Sequence, residues 1–94
     1  MYVRVVRFTN TSAGQIDDLA RRIKESNGPP PGVRTTALKL LVDDAQGTAL
    51  AIQEFATAQD MEDAAKIFDA MDASETPGTR VSVDACELKL DLQA

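Results

Sequence analysis

The stretch ALKLLVDDAQGTALAIQEFA, residues 37–56, constrains the fold of this chain more than any other. Two runs rich in aliphatic residues flank Asp43-Asp44-Ala45-Gln46-Gly47, the pattern of a β-hairpin around a short loop. A strand with one face in water alternates apolar and polar residues. These two runs are apolar at nearly every position, so both of their faces require cover.

Strands are expected over about 33–42 and 48–55, with Gly47 taking the left-handed conformation that closes the hairpin. Pairing Val42 with Thr48 would set Leu40 opposite Leu50 and Leu38 opposite Ile52 on one face. The other face would then hold Leu41 opposite Ala49, Lys39 opposite Ala51 and Ala37 opposite Gln53, with Phe55 beyond. This register gathers the large aliphatic residues on one side, whereas a one-residue slip mixes the faces.

The remaining elements read from local signals. Residues 2–9, YVRVVRFT, are rich in β-branched and aromatic residues and suit a strand. Ser12 followed by Gln15 matches a capping box, and Ile16, Leu19, Ala20 and Ile23 make one apolar helical stripe. Asp17 and Asp18 fall near the start of that helix, and Arg21, Arg22 and Lys24 near its end, as the helix dipole favours. Asn27-Gly28 and the run Pro29 to Pro31 stop it. Thr57 caps a second helix, with Met61, Ala64, Ala65, Phe68 and Met71 at helical spacing and Asp60, Glu62 and Asp63 in its first turns. A last strand runs from Arg80 to Gln93. Its apolar phase switches near Cys86, from Val81, Val83 and Ala85 to Leu88, Leu90 and Leu92, which implies a bulge or a change of packing environment.

The order β-α-β-β-α-β with right-handed crossovers gives an α+β, ferredoxin-like domain over residues 1–94. Its four-stranded antiparallel sheet carries both helices on one face. The helices are expected to cover Leu38, Leu40, Leu50 and Ile52. The opposite face, with Ala37, Leu41, Ala49, Ala51 and Phe55, is too apolar for water, and a second copy of the chain is the expected cover.

Composition narrows the function classes. The net charge is −5, yet residues 1–39 carry seven basic and three acidic residues while residues 40–94 carry three and twelve. An acidic chain without a basic cluster suits no nucleic acid, and the uneven charge implies that the two halves pair with each other or across subunits. Apolar runs are far short of the roughly 20 residues that span a bilayer. Arginines interrupt MYVRVVRF where a leader peptide would be apolar, and the single Cys86 permits no internal disulfide, so a cytoplasmic location is expected.

The chain has no His and no Trp. Without His it lacks the usual base near neutral pH and the commonest transition-metal ligand, so neither a metal nor a cofactor is expected. Cys86 reads as a buried, inert thiol. The carboxylates of DDAQG and QDMED read as a solvated turn and a helix N-terminus. What remains is four polar residues inside strands, Arg4, Lys39, Gln53 and Glu54. The preferred reading is ion pairs, such as Arg4 or Lys39 with Glu54; the other is a pocket in which Lys39 and Gln53, with Arg4 as a further candidate, meet a small anionic or carbonyl-bearing ligand.

The element order, Pro31-Gly32-Val33, the hairpin LLVDDAQGTALAIQEF and the helix DMEDAAKIF are similar to the dimeric α+β barrel proteins. That group includes the antibiotic-biosynthesis-monooxygenase-like proteins and many small bacterial ones. The resemblance implies a homodimer with a pocket between sheet and helices in each subunit. Its members span cofactor-independent oxygenases of quinol-like or polyketide substrates, haem-degrading enzymes and proteins without known activity. The haem-degrading branch needs a His ligand and a distorting Trp. Oxygenase members use His and polar aromatic residues, of which only Tyr2 is available here, so no catalytic residue is carried over. Three functions follow as expectations: a dimeric metabolite-binding or purely assembling protein; a cofactor-independent monooxygenase or isomerase; and a protein-interaction module presenting Glu62, Asp63, Asp69 and Asp72.

Overall fold

The computed structural model describes residues 1–71 and 77–93. Its elements are β1 (Tyr2–Thr9), α1 (Ala13–Glu25), β2 (Ala37–Asp43), β3 (Thr48–Phe55), α2 (Ala58–Asp69) and β4 (Thr79–Glu87). The strands form one antiparallel sheet in the order β2-β3-β1-β4, the ferredoxin-like α+β arrangement that the element order implied. Both helices lie on the face that carries Tyr2, Arg4, Val6 and Phe8 of β1 and Ala49, Ala51, Gln53 and Phe55 of β3.

The helix starts are set by side chains. Ser12 Oγ accepts from Gln15 N–H at 3.3 Å and Gln15 Oε1 accepts from Ser12 N–H at 2.9 Å, completing the capping box. The hairpin loop adds a second cap to α1, because Asp44 Oδ1 accepts from Ala13 N–H at 2.9 Å. The acidic pair Asp17 and Asp18 sits in the second turn of α1, and Asp18 pairs with Arg21 at 3.0 Å. Thr57 Oγ1 caps α2 by accepting from Asp60 N–H at 3.1 Å.

The hairpin register differs from the expected one by one residue. Asp43 pairs with Thr48, so Leu41 lies opposite Leu50, Leu40 opposite Ala51 and Leu38 opposite Gln53. Leu38 and Leu40 face the helices as expected. Leu50 and Ile52 do not; Ala49, Ala51 and Phe55 take that side, buried to 8 % exposure or less. Turn chemistry decides this. Asp43 closes a four-residue loop by accepting from Gln46 N–H at 3.3 Å and from the Gln46 side-chain amide at 2.8 Å, and Gly47 completes it at φ 65°. β3 is apolar on both faces, so its pattern could not fix the register against that turn.

Two further boundaries and the position of one irregularity differ from expectation. β2 begins at Ala37 because Val33 turns inward under α2, while Thr35 Oγ1 and Thr36 N–H both bond to Glu54 O at 2.7 Å. β4 ends at Glu87 rather than Gln93. Its neighbour in the sheet, β1, runs out at Tyr2, the partner of Glu87, and Leu88 N–H to Met1 O at 3.0 Å is the last rung. The irregularity in β4 lies at Val81, between the partners of Arg7 and Phe8, and not at Cys86. Cys86 is exposed rather than buried, since it sits opposite Val3 on an edge strand, on the side away from the helices.

The core is two clusters on one side of the sheet. Val6, Phe8, Ile16, Ala49 and Ala51 pack together with Leu40. Phe55, Met61, Ala64 and Val33 pack together with Tyr2, Ile67 and Phe68. The opposite face is open. Val3, Val5, Leu50 and Ile52 lie half-buried there, and Leu41 is 47 % exposed.

Candidate functional site

Arg4 and Gln53 occupy the gap between the two clusters. They are a cross-strand pair at the centre of the sheet, and both point to the helix side. Arg4 follows Tyr2 and precedes Val6 and Phe8 in the inward phase of β1; Gln53 interrupts Ala49, Ala51 and Phe55 in the inward phase of β3. Each is a polar residue at a position whose periodicity calls for an apolar one, and each is almost fully buried, at 3 % and 6 % exposure.

The Arg4 guanidinium is held on three sides. Nη1 donates to Gln53 Oε1 at 3.1 Å. Nη2 lies 3.8 Å from Asp69 Oδ1 at the end of α2, too far for a hydrogen bond. The ring of Phe68 lies beneath, with Arg4 Cζ 5.0 Å from its centroid, within cation–π range. Nε is buried and donates to no partner among the described residues. Asp69 Oδ1 also accepts from Arg80 Nη1 at 3.0 Å, so two guanidiniums converge on one carboxylate oxygen. Burial lowers the Arg4 pKa from the ordinary arginine value; Asp69 opposes that shift and Arg80 adds to it.

Arg4, Gln53, Phe68 and Arg80 border a cavity of about 600 Å³ between the helices and the sheet. Its floor is the inward face of the sheet from Leu38 and Leu40 to Ala51 and Val6. Leu19 and Ile23 of α1 wall one side and Phe68 of α2 the other, and Pro29 to Pro31 border it where α1 has ended. The small side chain of Ala51 on the central strand leaves room that a Leu or Ile there would fill. The register that disappointed the aliphatic count is thus the one that makes space. Among the described residues, the ionisable groups lining this cavity are Arg4, Arg22 and Arg80.

The four polar strand residues separate into two pairs. Arg4 and Gln53 meet in the cavity. Lys39 and Glu54 lie on the open face and form an ion pair with Lys39 Nζ 3.5 Å from Glu54 Oε2. Arg4–Asp69 and Lys39–Glu54 both join the basic first half of the chain to the acidic second half. Phe68, Asp69 and Arg80 were not legible as site residues. Asp69 reads as one of several carboxylates on a solvated helix face, along with Glu62 and Asp63, which are exposed; Asp72 lies outside the described residues. Tyr2 packs in the second core cluster and does not border the cavity.

No helix among the described residues is long and apolar enough to cross a membrane. Comparison with protein-family models, with curated proteins and with solved structures returned no match.

Proposed function

We propose that this protein binds a small, largely apolar molecule in the cavity between its sheet and helices, and that it does so as a homodimer. The observation that carries the reading is Arg4. Burying a guanidinium with a donor left over costs free energy that an apolar residue would not. A chain that tolerates that cost beside a 600 Å³ cavity has the layout of a binding site, apolar walls with a few converging polar groups. The volume is within the range typical of sites for small ligands.

Binding is favoured over an oxygenase or isomerase activity by what surrounds the cavity. Its lining among the described residues offers arginines, Gln53, Ser26 and Thr35, but no carboxylate, Tyr or Cys to move a proton.

The homodimer rests on the open sheet face. Val3, Val5, Leu41, Leu50 and Ile52 form an apolar field there, next to the Lys39–Glu54 pair. A second copy packed face to face would cover both fields at once. The pairing resembles the barrel of the dimeric α+β group.

The binding reading is tested with N-phenyl-1-naphthylamine, a neutral probe whose emission rises in apolar sites. Saturable binding by the native protein, abolished when Ile23→Trp fills the helix wall of the cavity, is the expected result. Binding that survives Ile23→Trp unchanged, or no binding, contradicts it.

A further inference from the structure

The binding reading leaves the chemical class of the ligand open, and the charges around the cavity narrow it. In a chain of net charge −5, the ionisable side chains lining the cavity among the described residues are all arginines. Asp69 stands just behind them and is shared by Arg4 and Arg80. Two guanidiniums against one carboxylate leave a positive charge at the end of the apolar cavity where Arg4 and Arg80 lie.

The hydrogen bonds of Arg4 say which part of it is unpartnered. Nη1 is committed to Gln53. The side-on edge formed by Nε and Nη2 is the one whose Nε has no partner and whose Nη2 only approaches Asp69, at 3.8 Å. That edge presents two parallel N–H donors, the fork that takes both oxygens of a carboxylate. The Phe68 ring covers one face of the guanidinium, with Arg4 Cζ 5.0 Å from its centroid. A dianion would bring more charge than this end can offset, and its desolvation penalty would be larger. A neutral acceptor would meet the same fork without charge assistance and so more weakly.

We infer that the ligand is a monocarboxylate with an apolar body, received by the Nε–Nη2 edge of Arg4, and that Asp69 stands in for its head group in the free protein. This rests on the binding reading above. The apolar body lies along Leu19, Ile23, Leu40 and Ala51 toward the prolines. On binding, the ligand carboxylate takes the Arg4 edge, and Asp69 keeps its 3.0 Å bond to Arg80. Asp69 then acts as an internal competitor: it lowers affinity for every anion and has no effect on neutral molecules.

The test is calorimetric titration of the full chain with 1-naphthoate and with 1-naphthamide, which share shape and differ in charge. The native protein is expected to bind the carboxylate about tenfold or more tightly than the amide, as charge-assisted bonds require. Arg4→Met is expected to reduce that preference to about twofold or less, with amide binding retained. Asp69→Asn, at a position 59 % exposed, is expected to raise carboxylate affinity several-fold and leave the amide unchanged. Equal binding of the two compounds to the native protein overturns this inference and leaves the cavity reading standing. Binding of neither overturns both. A carboxylate preference that persists in Arg4→Met places recognition elsewhere and also overturns it. Should Arg4→Met fail to fold, the native comparison and Asp69→Asn decide between the same outcomes.

Discussion

Arg4 and Gln53 face each other across β1 and β3, joined by a 3.1 Å hydrogen bond, and their pair divides the core of a 94-residue chain into two apolar clusters. A small domain has little apolar surface to spare. Placing a buried charge at the centre of its four-stranded sheet is a cost that packing does not explain.

That cost is measurable. Arg4→Met with Gln53→Leu fills the centre of the core with apolar groups of similar length and removes both polar partners together. The double variant is expected to match or exceed the native protein in stability by about 1–3 kcal/mol, as apolar replacements of buried polar networks often do. Arg4→Met alone leaves Gln53 Oε1 buried without its donor and is expected to be less stable than the double variant by about 1–3 kcal/mol. Urea unfolding of the three proteins checks the order. A double variant several kcal/mol weaker than native would show that the pair serves stability.

Lys39→Met probes the other polar pair. Lys39 is 64 % and Glu54 22 % exposed, and they lie on the face away from the cavity. The loss is expected to be under about 1 kcal/mol, the range of solvent-exposed pairs. Binding of N-phenyl-1-naphthylamine should be unchanged. A weakened probe affinity would place Lys39 in the binding site, contrary to the arrangement of the strands.

Ile52→Lys tests the open face. It sets a charge in the middle of the apolar field formed by Val3, Val5, Leu41 and Leu50, beside Lys39, its cross-strand partner. Sedimentation equilibrium at micromolar concentration is expected to show a dimer for the native chain and a monomer for the variant. A native monomer would contradict the homodimer.

Gly78 carries a stability constraint outside the site. It has φ 117°, and a Cβ there would fall 2.5 Å from Thr9 O and 2.9 Å from Asn10 O. Gly78→Ala is expected to cost about 1–3 kcal/mol through backbone strain, visible as a lower urea midpoint. An unchanged midpoint would mean that the entry to β4 can relax at no cost.

The fold was legible where local chemistry and periodicity agreed. Ser12 with Gln15, Thr57, the Asn27-Gly28 stop and the two strand-rich segments carried enough to give the element order, and the order gave the topology. The hairpin register was not legible, because β3 is apolar in both phases and the deciding contacts are those of Asp43 to Gln46 in the turn. The end of β4 was hidden too: Leu88, Leu90 and Leu92 alternate like a strand, but β1 offers them no partner beyond Tyr2. The site was half legible. Arg4 and Gln53 stand out as polar breaks in inward phases. Asp69 and Arg80 come from surface positions 11 residues apart, and only the fold brings them to the same guanidinium.

The most direct test of the binding account is an NMR titration of isotope-labelled protein with 1-naphthoate, followed at the arginine Nε–H resonances. The account predicts that the Nε–H of Arg4 shifts strongly and saturably, together with the side-chain amide of Gln53 and the methyl group of Ala51, while Lys39 and Leu41 on the opposite face stay still. Shifts confined to the open face, or a titration that leaves the Arg4 Nε–H unmoved, would contradict it.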